Sequence, residues 1–214
     1  MVEEQRVLPV PYFLSRARAS AGGPGVVVLM EGLGISPQLL RFCERLAHAG
    51  YGALAPDLFH RFGGGDPGKP WYTKLRDADA LDDIAAAVSE LRRQGATAVG
   101  LTGFCMGGRL TYLAATSGVG VSAAAPFYGA GIGRRLGKPA CPLLAFFGGK
   151  DEYVPPDEIE AVRARHPGEV VVYPDAGHGF MRDGSESYRE ADAADAWNRL
   201  MGFFAEHLGA PQAS

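Results

Sequence analysis

Four side chains in this 214-residue sequence have the types and settings needed for chemistry at a carbonyl carbon. Cys105 stands in Gly103-Phe104-Cys105-Met106-Gly107-Gly108, after an apolar run and before a helical one. A nucleophile between two such glycines fits a sharp strand-to-helix elbow, with the next backbone N–H pointing to the same place. Asp151 ends Phe146-Phe147-Gly148-Gly149-Lys150-Asp151, and His178 lies in Tyr173-Pro174-Asp175-Ala176-Gly177-His178-Gly179-Phe180. The chemistry would have His178 take the thiol proton while Asp151 fixes the ring and stabilises its charged form. Asp175 competes with Asp151 for that part, but it follows the same strand as the histidine. Glu31 directly follows a buried apolar run, an expensive place for a carboxylate without a partner.

Each residue also has a plainer reading. A buried cysteine is often a small hydrophobe, and turn aspartates, loop histidines and rim glutamates are common. The order nucleophile, acid, histidine, each after a separate strand, is the order of an α/β-hydrolase triad. In open parallel sheets, ligands bind beyond the carboxyl ends of the strands, where all three can converge.

The elements that must position them are legible. Val26 to Met30 does not alternate and reads as a strand buried on both faces. Ser36-Pro37 then gives an N-cap and a first-turn proline for a helix over 37–49, with Leu39, Leu40, Cys43 and Leu46 inward. Tyr51 to Pro56 is the next strand, and Asp57 to Lys69 a glycine-rich loop. Asp77 to Gln94 reads as an amphipathic helix built on Leu81, Ile84, Val88 and Leu91. The elbow strand, 98–101, and its helix follow. Strands at 121–125, 143–147 and 169–173 alternate with helices near 156–165 and 190–208, the last carrying Trp197, Leu200, Phe203, Phe204 and Leu208. This alternation implies a mostly parallel sheet flanked by helices, with right-handed crossovers. Residues 1–24 read as a possible edge pair through Arg6 to Tyr12 and Phe13 to Arg18. The chain is expected to be one domain over 1–214 with no separate lid.

The chain resembles the dienelactone hydrolase family of α/β-hydrolases from about residue 25 to 208. The marks are Gly-Phe-Cys-Met-Gly-Gly at 103–108, Gly-Lys-Asp at 149–151 and Gly-His-Gly-Phe at 177–180. The resemblance implies a Cys105, Asp151, His178 triad. It implies that Glu31 pairs with the Cys105 thiol at rest and moves when substrate enters. It also implies two substrate-binding arginines, Arg61 and Arg182, and a pocket residue, Tyr128, in Phe127-Tyr128-Gly129. The oxyanion hole would be the N–H groups of Gly32 and Met106. The implied substrate is a lactone with a free carboxylate, opened through a thioester. An esterase without need for an anion is the alternative, and a non-catalytic binding module is a third reading.

Composition bounds the rest. Charged residues are 21% and apolar residues 47%, and the net charge is −3 with both signs interspersed. With no basic stripe, a nucleic-acid partner is not expected, and no apolar run is long enough to suggest a membrane span. Three cysteines and an acidic, polar N-terminus suggest reduced thiols in a cytoplasm. Cys43 and Cys141 read as structural. A redox role for Cys105 would need a second cysteine beside it. The five histidines, at 48, 60, 166, 178 and 207, have no metal-ligand spacing, so no metal or cofactor is expected. His60 reads as a surface-loop residue, and a monomer is the default.

Overall fold

The computed structural model describes residues 2–5, 10–15, 22–63, 69–166 and 170–209. Among the described residues the strands and α-helices follow one another as β1 (Val2–Gln5), β2 (Tyr12–Ser15), β3 (Gly25–Leu29), α1 (Pro37–His48), β4 (Gly52–Pro56), α2 (Asp77–Arg93), β5 (Val99–Phe104), α3 (Met106–Ser117), β6 (Ala123–Phe127), β7 (Ala145–Gly148), α4 (Pro156–Arg165), β8 (Val170–Tyr173) and α5 (Glu190–Leu208). The strands form one eight-stranded sheet in the order β1-β2-β4-β3-β5-β6-β7-β8. From β4 to β8 every pairing is parallel, and β1 and β2 are antiparallel additions at one edge. The expected edge pair exists, but with Val2–Gln5 as its first strand. Residues 6–9 and 16–21, on which part of that expectation fell, lie outside the described residues, as do 64–68 of the glycine-rich loop.

The central strands are covered on both faces, which is why they read as unbroken apolar runs. Every residue of β3 and β5 is buried. Helix α1 starts where the sequence places it: Ser36 Oγ accepts from the Leu39 N–H at 3.2 Å, with Pro37 in the first turn. Helices α1 and α5 meet through Phe42 and Trp197, whose rings stand edge to face at 5.4 Å. Helix α2 packs beside α3, and the end of α4 is tied to α3 by a 2.8 Å hydrogen bond between Tyr112 and His166.

The inward stripes of α1, α2 and α5 are the expected ones, with one expected residue on each only partly buried. Phe42 rather than Leu40 is buried on α1, Ala80 and Asp83 rather than Leu81 on α2, and Ala196 rather than Phe203 on α5. Among the described residues no helix is long and apolar enough to cross a membrane.

Candidate active site

Cys105 sits between β5 and α3 at φ 56° and ψ −115°, a conformation L-residues rarely adopt. Such strain costs about 1–3 kcal/mol and persists only where the surroundings impose it. Here they do. The Cys105 N–H donates to Phe127 O at 3.1 Å, and the Arg109 N–H donates to Cys105 O at 3.0 Å. A Cβ on Gly107 would stand 2.5 Å from Leu29 O, so α3 crosses the end of β3 at a separation only glycine permits. The first N–H groups of α3 lack intrahelical acceptors, and the positive end of its dipole lies beside the thiol.

Asp151 follows β7 and His178 follows β8. His178 Nδ1 and Asp151 Oδ2 are 2.8 Å apart, and the Asp151 side chain is fully buried. Its other oxygen, Oδ1, accepts from the Tyr153 N–H at 2.8 Å. Burial by itself lowers the pKa of His178. The hydrogen bonds to Asp151 and Cys105, and the negative charges those groups carry when ionised, outweigh it and raise the pKa to about 9. Asp175 is engaged elsewhere, with Lys150 Nζ at 2.6 Å on the surface. The imidazole meets two tyrosine rings, Tyr128 at 5.0 Å and Tyr153 at 4.8 Å, both edge to face.

Glu31, at the end of β3, is nearly buried and has found partners. Arg182 reaches its Oε2 with Nη2 at 2.8 Å and Nε at 3.0 Å, and the Tyr128 hydroxyl donates to Oε1 at 3.4 Å. These bonds go to Arg182 and Tyr128, where the resemblance implied the Cys105 thiol. Burial first, and the Glu31 charge second, hold the Tyr128 hydroxyl well above its usual pKa, so it stays a donor. Tyr128 is the other non-glycine residue at positive φ, 38°, among those described. Gly32 lies under the Tyr72 ring, 3.1 Å from where its own Cβ would be.

Arg61 stands apart from this group. Its guanidinium forks onto both oxygens of Asp83, Nη2 to Oδ1 at 2.7 Å, and Asp83 is buried on the inner face of α2. His60 Nε2 is 3.3 Å from the same carboxylate and is largely covered rather than a surface-loop group. Sequence reasoning missed Asp83 and Tyr153. The signal for Asp83 was its place three after Ala80 and one before Ile84, on an apolar stripe. For Tyr153 it was an aromatic two residues after the acid.

All three cysteines are free thiols. Burial pushes Cys43 up to about 12 and Cys141 up to about 11, which suits small core residues and not nucleophiles. Among the described residues no group of three or more His, Cys, Asp or Glu side chains is arranged to hold a metal ion.

The family model for dienelactone hydrolases matches residues 12–208. A Salmonella typhimurium protein provisionally named carboxymethylenebutenolidase is 35% identical over 94% of this chain and 84% of its own length. A carboxymethylenebutenolidase from Pseudomonas putida is 32% identical over 87% of each chain. A Klebsiella pneumoniae crystal structure, provisionally named a dienelactone hydrolase, superimposes with a TM-score of 0.85 at 30% identity, covering 96% of this chain and 98% of that one. The chain belongs to the dienelactone hydrolase family and is a hydrolase of the α/β-hydrolase fold.

Proposed function

We propose that this hydrolase opens a carboxylated enol-lactone through a thioester on Cys105. The observation that carries the reading is the arrangement about His178. One ring nitrogen is held by a buried carboxylate, and the other is left for a thiol on a strained elbow. His178 holds the proton that Cys105 gives up, and the sulfur forms its bond to the lactone carbonyl carbon. The carbonyl oxygen gains a negative charge opposite the N–H groups of Met106 and Gly32. As the tetrahedral centre collapses, the ring C–O bond breaks and the enol oxygen takes the proton from His178. Water then adds to the thioester carbon and gives a proton to His178. The C–S bond breaks, and the departing sulfur recovers its proton.

The free carboxylate of the substrate is assigned to Arg182. A guanidinium fork suits a carboxylate, and this one already holds a carboxylate, Glu31, at the end of β3. The incoming anion competes with Glu31 for that fork. Glu31, displaced from the guanidinium, is then the charge that moves when substrate enters. Arg61 could turn fully to the same anion only by giving up its fork on the buried Asp83, leaving His60 at 3.3 Å as that carboxylate's partner. We therefore give it a bracing part in the loop that follows β4.

One observation favours the second reading, an esterase indifferent to substrate charge. Arg182 is already neutralised by Glu31, so an uncharged ester would meet no unpaired charge. The test is hydrolysis of a carboxylated enol-lactone, its uncharged methyl ester and a simple aryl ester. Cys105→Ala should abolish turnover of all three with circular dichroism unchanged. Near wild-type turnover in that variant would remove the thiol mechanism. Arg182→Ala should lower kcat/KM about a hundredfold for the carboxylated lactone alone, since a charge-assisted pair contributes about 2–3 kcal/mol. An equal loss on all three substrates would select the esterase reading.

A further inference from the structure

Tyr153 has 68% of its surface exposed, the largest exposure of any large apolar or aromatic side chain among the described residues. An exposed tyrosine contributes little to a core, yet this one is held in place from both sides. Its backbone N–H donates to the buried Asp151 carboxylate, and the next residue, Val154, is buried in the cluster beneath β7. The turn between them is too short to swing away. Its ring rests 4.8 Å from the His178 ring at 63°, and the buried ring of Tyr128 also meets that ring, at 5.0 Å and 65°.

We propose that Tyr153 is a positioning residue that completes an aromatic bracket and fixes the plane of the His178 ring. The argument rests on what a single hydrogen bond leaves free. The Nδ1 contact to Asp151 holds one corner of the imidazole. The terminal torsion of histidine is broad, so rotation about that corner remains soft. Such rotation swings Nε2 away from the Cys105 sulfur while the Asp151 bond survives. Tyr128 packs edge to face with the ring and is itself fully buried. Tyr153, itself exposed, is the other tyrosine ring against it, and the His178 side chain is only 12% exposed. Each ring contact contributes modestly, about 0.5–1.5 kcal/mol. Small misplacements of a proton-transfer group, however, cost rate steeply.

This inference rests on His178 being the base of the proposed reaction, and the experiment separates the two. Steady-state hydrolysis of an aryl acetate is measured for wild type, Tyr153→Ala, Tyr153→Phe and His178→Ala. The imidazole C–H resonances of His178 are followed by NMR in the first three. The bracket predicts that Tyr153→Ala lowers kcat about tenfold with KM within twofold. It also predicts that Tyr153→Phe restores kcat, and that the ring-current shift of the His178 protons is lost in the alanine variant and kept in the phenylalanine one. The exposed position makes a folding failure easy to see and to exclude by circular dichroism. A kcat within twofold of wild type in Tyr153→Ala overturns the inference. So does a rise in KM at constant kcat, which would make Tyr153 a substrate contact only. Substantial turnover in His178→Ala would instead overturn the assignment of the base, whatever the Tyr153 variants do.

Discussion

Replacing Asp151 by asparagine tests the triad at its least ambiguous point. The carboxylate accepts twice, from His178 Nδ1 through Oδ2 and from the Tyr153 N–H through Oδ1, each at 2.8 Å. An amide has one oxygen, so one of those donors must face an NH2 group. The backbone N–H cannot change its role, whereas the imidazole can change tautomer. The amide therefore gives its oxygen to Tyr153 and its nitrogen to His178, which moves its proton to Nε2. A ring protonated there cannot accept the Cys105 proton. The charge is lost as well. A rise in the His178 pKa from 6.5 to about 9 corresponds to about 3 kcal/mol of preference for the imidazolium, and Asp151 supplies a main part of it. Without Asp151 the opposing effect of burial remains, so His178 titrates well below its wild-type value. Tautomer and charge together predict a fall in kcat of about 10³–10⁴-fold, the scale typical of such an exchange. Stopped-flow acylation by an aryl ester reads the rate, and imidazole nitrogen shifts read the tautomer. A variant within tenfold of wild type, still protonated at Nδ1, would refute the reasoning.

The same histidine sets a pH dependence of stability. Its pKa is raised on folding, so its contribution is complete below about pH 6.5 and disappears as pH rises through about 9. Urea unfolding of wild type should lose up to about 3 kcal/mol across that window, and His178→Gln should show a flatter profile. Gly107→Ala places a Cβ 2.5 Å from Leu29 O and 2.6 Å from Met30 O. Overpacking against backbone should cost about 3 kcal/mol in unfolding free energy and displace the elbow, lowering kcat. Arg61→Ala strips the fork from a buried carboxylate, for about 3–5 kcal/mol. The double variant with Asp83→Asn should recover part of this in urea unfolding. If Arg61→Ala instead leaves stability intact and harms only anionic substrates, the bracing part assigned to Arg61 is wrong.

Much of this fold could be read from the chain because its central strands announce themselves. Val26 to Leu29 is apolar throughout, and each helix after it carries a stop or start that follows from simple stereochemistry, such as Ser36-Pro37. The elbow, the acid turn and the histidine loop could be read for the same reason: each is glycine-marked and ends a strand. Partnerships between loops were not legible. Nothing in the local sequence of Glu31 says that Arg182, 151 residues later, will hold it. Arg61 looks identical as a free cation or as the partner of Asp83, since the choice depends on how α2 lies against the loop after β4. Periodicity gives each helix its stripe, on which Leu39, Ile84 and Leu200 are buried, but it does not say which residue at the stripe's edge, such as Leu40, Leu81 or Phe203, stays partly exposed.

Glu31, Cys105, Tyr128, Asp151 and His178 come from the ends of β3, β5, β6, β7 and β8, five consecutive neighbours in the sheet. No two of the triad share a local segment, so no fragment of the chain carries more than an ordinary side chain from it. Without β8 in place Cys105 has its elbow but no imidazole beside it. The proposed pairing of Cys105 with His178 therefore exists only when β5 to β8 all stand side by side. Activity in such a molecule reports the completed sheet, and should vanish together with global structure rather than ahead of it.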